Sequence, residues 1–295
     1  MLGSQTEPLV SVMMPVYNGE QTIQLAIASL LHQTYTNWKC VIVNDGSTDS
    51  TKEFLDTLKD PRFYIIHFPE NKGRPVARQA ALEAAEGEFL AFLDADDFYH
   101  PQKLEKQVKA FQEYPEIDLV SCGMGSFKTF DRIERVRGVR SSLINRVMKF
   151  RLTGDFNAPH PACMTRLSLS KQVPYNKHLK HAQDSDFFIR YLENRKYLIV
   201  GDVLYYYSEF VSVTGRKILR TYKYDIMRKV SLVPKAPFIA GKSLLKTIGK
   251  FIVTAVFLPL KGAEFFLRRR GGIPSSVDVA QYNTVRSLLK LDSNG

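Results

Sequence analysis

Two short apolar runs with a helical pattern between them constrain this chain most. LVSVMMPV (9–16) and WKCVIVN (38–44) are rich in β-branched residues, and EQTIQLAIASLLHQ between them sets Ile23, Ala26, Ile27, Leu30 and Leu31 at helical spacing. Strand, helix and strand in that order imply a parallel sheet. RFYIIHF (62–68) adds a third strand, GRPVARQAALEAAEG an Ala-rich helix from about Pro75 to Gly87, and EFLAFLD a fourth strand ending at Asp94. The expected fold class is α/β, an open and mostly parallel sheet flanked by helices.

The fourth strand runs into FLDADDFYHP, which crowds Asp94, Asp96 and Asp97 into four positions. In an open α/β sheet the loops leaving the strand ends converge on a ligand crevice. PVYNGE (15–20) and NDGSTDST (44–51) leave on the same edge, the second pairing a turn-forming Asp-Gly with Ser47, Thr48 and Asp49 as helix N-cap candidates. No Gly-x-Gly-x-x-Gly and no Gly-Lys-Ser/Thr loop follows a strand, so a Gly-rich phosphate cradle is excluded. Neighbouring carboxylates offer another means of holding a diphosphate, by a divalent cation; oxygen ligands suit Mg²⁺ or Mn²⁺.

At 295 residues and 44% hydrophobic composition, the chain can bury one sizeable core. Its net charge of +11 is uneven: residues 1–210 carry 25 Lys and Arg against 26 Asp and Glu, whereas residues 211–270 carry 14 against 2. A nucleic-acid binder would pair such an excess with a recognition motif, and none is present, so no nucleic-acid partner is expected. Cys40, Cys122 and Cys163 are few and far apart, which fits a reducing cytoplasm better than a disulfide framework. The N-terminus MLGSQTEPLVSV lacks a basic stretch followed by a long apolar run, and no secretory signal is expected.

VSVMMPVYNGEQTIQLAIASLLHQTYTNWKCVIVNDGSTDST, followed by NKGRPVARQAALEAAEGEFLAFLDADD, resembles the family 2 inverting glycosyltransferases of GT-A fold over roughly residues 8–210. The resemblance implies a nucleotide-diphospho-sugar donor, a divalent metal and a catalytic domain over 1–210. It places Pro15, Tyr17 and Asp45 on the nucleotide base, Gly73 and Arg78 along the nucleotide, Asp94 on the ribose and Asp96 on the metal, with Glu20 and Asp97 in support. A carboxylate can accept from the N3–H of uracil or thymine, and a UDP-sugar is the expected donor. Gln79 stands where the family usually has Asn.

Inversion needs a base on the acceptor hydroxyl. KHAQDSDFFIRYLENRKY (180–197) is similar to the family's base-bearing helix, which points to Asp184 with Asp186 as its neighbour, although Gln183 replaces the usual Glu. NAPHPACMTR (157–166) resembles the acceptor-side strand, with His160 near the acceptor. Relatives carry an Arg-x-His-like stretch where this chain reads YYYSEFVSVTGRK; Ser208, Ser212, Thr214 and Arg216 are the replacements available. A catalytically inactive nucleotide-sugar scaffold and a sugar nucleotidyltransferase are the alternative functions.

Residues 211–295 form the expected basic extension. APFIAGKSLLKTIGKFIVTAVFLPLKGAEFFLRRR (236–270) sets Lys242, Lys246 and Lys250 on one helical face, opposite Leu245, Ile248, Phe251, Ile252 and Ala255. Its longest charge-free run, Phe251 to Leu260, is too short to span a bilayer and is expected to be interrupted at Pro259. The expectation is a helix lying on an anionic membrane surface at the cytoplasmic face, suited to a glycan or lipid-linked acceptor.

Overall fold

The computed structural model describes residues 7–138, 144–150, 158–179, 182–234 and 237–289; residues 1–6, Asn157, Lys180, His181 and Ala236 of the segments above lie outside them. The first half alternates as its patterning requires: β1 (Val10–Val16), α1 (Ile23–Leu31), β2 (Trp38–Asn44), α2 (Thr51–Asp56), β3 (Phe63–His67), α3 (Arg74–Ala84) and β4 (Phe89–Phe92). β1 lies between β2 and β4, parallel to both, and β3 extends the sheet beyond β2. Val12 and Met14 pack with Ile23, Ala26 and Leu30 on one face. Met13, Val41 and Leu90 pack with Ala77, Ala81 and Leu82 of α3 on the other. Covering both faces is what makes these strands read as continuous apolar runs rather than alternating ones.

The chain continues through β5 (Phe98–Tyr99), α4 (Lys103–Glu113), β6 (Leu119–Phe127), β7 (Ile133–Arg137), β8 (Met148–Lys149), a 3₁₀ turn at His160–Ala162, β9 (Met164–Arg166), α5 (Leu167–Ser170), α6 (Gln183–Leu192) and β10 (Lys196–Tyr207). The sheet order is β3-β2-β1-β4-β9-β6-β10-β5, with β7 on β6 and β8 on β10. The long ladders are parallel, and β9 enters antiparallel between β4 and β6. β5 pairs antiparallel with β10, Tyr99 opposite Tyr205 and Phe98 opposite Tyr206. That register sets the chain after Tyr207 beside Asp96 and Asp97.

After β10 come α7 (Glu209–Ser212), α8 (Gly215–Leu232), α9 (Pro237–Leu267) and α10 (Ser276–Leu288). α8 and α9 form a hairpin. Gly215 lies against Leu258, where a Cβ would meet the leucine side chain at 2.8 Å, and Lys229 Nζ donates to Thr247 Oγ1 at 2.8 Å. Ala240, Thr247 and Thr254, seven residues apart, are the buried seam of α9. Two sequence expectations change here. The helix continues through Pro259 and breaks at Gly262, whose φ of 70° is left-handed. Leu245 and Ile252, assigned to the apolar face opposite the lysines, are exposed instead, because the seam takes the narrower stripe centred on Thr247. The expectation of a segment too short to span a bilayer changes as well, since by length and composition Pro237–Leu267 suffices to cross a membrane, with a mean hydropathy of 1.6 over an 18-residue window. The end of the chain returns to the sheet: Tyr282 and Val285 of α10 are buried with Phe98, Phe127, Ile133, Val136 and Tyr206.

Candidate active site

The ends of β1, β2 and β4 meet at one sheet edge, since Val16 pairs with Asn44 and Met13 with Phe92. The loops leaving β1 and β2 are stitched together: the Ser50 N–H donates to Glu20 Oε2 at 2.9 Å, the Thr48 N–H to Asn18 Oδ1 at 2.8 Å and the Asn18 N–H to Ser47 Oγ at 2.9 Å. Glu20 therefore braces the second loop. The N-cap position of α2 is Ser50, one residue beyond the expected candidates, because the Asp49 carboxylate is spent on the Thr51 N–H and hydroxyl. Asp45 is buried and accepts from the backbone N–H groups of Lys72 and Gly73 at 2.7 and 3.0 Å. Gly46, with φ 67°, permits this, since a Cβ there would strike the backbone of Glu70 and Asn71. Each Asp45 oxygen keeps a second lone pair for a ligand donor. Pro15 sits near the end of β1 and Tyr17 stands 48% exposed just beyond it.

Asp94, Asp96 and Asp97 follow β4 in a turn closed by the Asp97 N–H donating to Asp94 O at 3.1 Å. One oxygen from each carboxylate lies within 4.8 Å of the others. Asp97 is fully buried and accepts from Tyr205 Oη at 2.6 Å, the Ser208 N–H at 2.9 Å and Ser208 Oγ at 3.1 Å. The same Ser208 hydroxyl lies 2.9 Å from Asp96 Oδ2. Ser208, one of four candidates in the sequence, is thus the residue that reaches the cluster; Tyr205 was not foreseen, although its place in a strand of buried tyrosines was the available signal.

The carboxylates differ electrostatically. Burial acts to raise the Asp94 carboxyl, but the charges of Arg78, Arg74 and Lys217 outweigh it and hold the group below the ordinary range. Asp96 is raised by burial and by the Asp94 charge. Asp97 is raised well above its usual value by burial and by both neighbours. Like charge crowded in this way is costly unless something offsets it.

Arg78, itself buried on α3, lies 2.8 Å from Asp94 and also pairs with Asp184 at the start of α6. It joins the two carboxylates expected to serve donor and acceptor. Asp186 points elsewhere, 2.6 Å from Arg190 and within 3.4 Å of the Tyr224 hydroxyl. Gln79 ties α3 to the chain before α6, its Oε1 accepting from the Tyr175 N–H at 2.8 Å.

His160 stacks on Phe188 with ring centroids 5.3 Å apart. Burial, then the charges of Arg78 and Arg228, lower its pKa to about 4. The unfolded chain therefore binds this proton and the folded one refuses it between about pH 6.5 and pH 4, and stability is lost as pH falls through that window. Thermal denaturation at pH 7 and pH 4.5 should show His160→Gln less acid-sensitive than wild type, by on the order of 3 kcal/mol at most. Equal acid sensitivity would contradict this.

The sequence profile described as Glycosyl transferase family 2 matches residues 11–173. The uncharacterized glycosyltransferase MJ1057 of Methanocaldococcus jannaschii is 30% identical over 212 residues, 70% of this chain and 73% of that protein. The UDP-Glc:alpha-D-GlcNAc-diphosphoundecaprenol beta-1,3-glucosyltransferase WfgD of Escherichia coli is 43% identical over 100 residues, 34% of this chain and 40% of its own length. The chain matches less than half the length of several such curated relatives. In fold it is similar to the mannosyltransferase PcManGT of Pyrobaculum calidifontis, solved with GDP-Man and Mn²⁺, at a TM-score of 0.62 and 16% identity over 97% of this chain and 85% of that one. With its profile spanning more than half the sequence and a relative matched over most of both lengths, the chain belongs to glycosyltransferase family 2.

Proposed function

We propose that the chain is a metal-dependent inverting glycosyltransferase that moves a sugar from a UDP-sugar to a glycan or lipid-linked saccharide in surface polysaccharide biosynthesis. The observation carrying this reading is the juxtaposition, through Arg78, of a carboxylate cluster at a sheet edge with Asp184 on α6. WfgD supports a UDP-sugar and a lipid-diphosphate acceptor by its name, and the Mn²⁺ complex of PcManGT supports a divalent ion.

The residues fit such an ion. They offer only carboxylate oxygens, closely spaced, and the two raised carboxyls repel their neighbours until a cation offsets the charge. Asp96 would hold Mn²⁺ or Mg²⁺, which when bound neutralises the leaving diphosphate, and Asp94 takes the ribose. Asp45 accepts from the uracil, Tyr17 and Pro15 flank it, and Gly73 and Arg78 line the nucleotide. Asp184 removes the acceptor hydroxyl proton as that oxygen attacks the anomeric carbon. The bond from the anomeric carbon to the diphosphate oxygen breaks, and UDP leaves with the electron pair. His160 borders the acceptor side. A thermal-shift screen of UDP- and GDP-sugars with Mn²⁺ tests the reading: a ligand at about 100 times its Kd adds roughly 2.7 kcal/mol, and stabilisation by a UDP-sugar is the expected result. Stabilisation by no nucleotide sugar would contradict it.

The proposed organisation is a catalytic domain over 1–210 with a membrane-facing extension over 211–295, working on the cytoplasmic face. Phe238, Leu245, Ile252, Val253, Val256 and Leu260 are all more than half exposed on α9, interleaved with the exposed Lys242, Lys246 and Lys250. Asp225, one of two acidic residues in the basic segment, is neutralised by Arg228 and Lys229 inside the hairpin. An outward face both apolar and cationic suits anionic lipid. Replacing the three lysines with Gln should weaken co-sedimentation with phosphatidylserine vesicles roughly 100-fold at low salt, at about 1 kcal/mol per charge. Binding indifferent to these changes and to salt would favour a purely structural hairpin.

A further inference from the structure

Glu209 is a buried charge that the proposed reaction does not use. It is 1% exposed, lies 2.7 Å from Arg137 of β7, accepts from Ser126 Oγ of β6 at 2.9 Å, and lies 3.4 Å from Arg270, which follows α9. A carboxylate placed so deep is costly unless it is paired, and here guanidinium groups from two distant segments pair it. Its neighbour in sequence is Ser208. The Ser208 carbonyl starts α7 by accepting from the Val211 and Ser212 N–H groups at 3.2 and 3.0 Å. Its amide and hydroxyl meanwhile reach Asp96 and Asp97.

We propose that Glu209 is a positioning residue for the metal-binding carboxylates, acting through Ser208 and held by Arg270 of the C-terminal extension. The clamp on Glu209 fixes the start of α7, and α7 aims the Ser208 amide and hydroxyl. Arg270 makes that aim depend on a segment that also carries the membrane-facing hairpin. The inference rests on the metal reading above. Groups that orient metal ligands without touching the metal typically change metal affinity 10- to 100-fold when altered.

The test is calorimetric titration of Mn²⁺ into full-length protein saturated with UDP, for wild type, Glu209→Gln, Ser208→Ala, the double variant and Arg270→Ala, with Glu134→Gln as control. Glu134 pairs with Arg132 and Arg268 in the same region without touching Ser208. Glu209→Gln and Ser208→Ala should each lower Mn²⁺ affinity about tenfold. The double variant should be no weaker than either single, because both act through one link, and Arg270→Ala, at a side chain 31% exposed, should lose in the same direction. Glu134→Gln should leave Mn²⁺ affinity unchanged. Losses that multiply in the double variant, or wild-type Mn²⁺ affinity in both Glu209→Gln and Arg270→Ala, would overturn the inference while leaving the metal reading intact. A wild type without Mn²⁺-dependent binding would overturn both.

Discussion

Asp184→Asn should lower glycosyl transfer by about 100-fold or more, the scale of a general base, while leaving UDP-sugar affinity nearly unchanged. The reason lies in where α6 points its two acidic residues. Separated by two positions, they lie about 200° apart around the helix. Asp186 is turned to Arg190 and Tyr224, where it joins α6 to α8. Asp184 is turned to Arg78 and the sheet edge. Asp186→Asn should therefore cost stability more than rate. Arg78, which lines the nucleotide, keeps its pairing with Asp94 in Asp184→Asn, and donor binding is expected to hold through that pair. Steady-state kinetics with a fixed acceptor separate the cases: a fall in kcat with little change in donor KM is expected. A dead Asp186→Asn beside a fully active Asp184→Asn would transfer the role, and lost donor binding in Asp184→Asn would mark it as structural.

Asp96→Asn should abolish metal-dependent nucleotide binding, a loss of at least about 100-fold in Mn²⁺-dependent UDP affinity, since an amide brings no charge to a hard cation. The metal-free protein should not suffer. Its Asp96 carboxyl is raised by burial and by Asp94, so the folded state holds that proton more tightly than the unfolded chain, and ionising the group at neutral pH costs stability. Removing the charge relieves that cost, and the metal-free melting temperature of Asp96→Asn should equal or exceed that of wild type. Unchanged Mn²⁺-dependent UDP affinity would show that the ion, if bound, sits elsewhere.

What the sequence disclosed and what it hid follow from the range of the interactions. β1 to β4 were legible because two-sided burial leaves long apolar runs, and the carboxylate cluster was legible because its three members are nearly contiguous. β5, β8 and β9 are only two or three residues long, too short for any periodicity to announce them. Yet β5, paired with β10, is what brings Tyr205 and Ser208 to Asp97 across more than a hundred residues of chain. The pairing of Arg78 with Asp184 is equally non-local: the family resemblance suggested each residue separately, and only the packing of α6 near α3 places them together. The N-cap of α2 moved by one residue because the Asp49 carboxylate is taken by the Thr51 N–H and hydroxyl. In α9 the packing seam claimed Thr247 and Thr254 and left larger apolar residues outside, which no periodicity in the sequence marks.

Metal-dependent sugar transfer is measured as release of nucleoside diphosphate from a panel of nucleotide sugars, with Mn²⁺ or with EDTA, by wild type and by the Asp96→Asn and Asp184→Asn variants. The account predicts UDP release from at least one UDP-sugar, dependent on Mn²⁺, lost in Asp96→Asn and strongly reduced in Asp184→Asn when an acceptor is supplied. Release undiminished by EDTA and by Asp96→Asn, or no release from any UDP-sugar by a wild-type protein that folds, would contradict it.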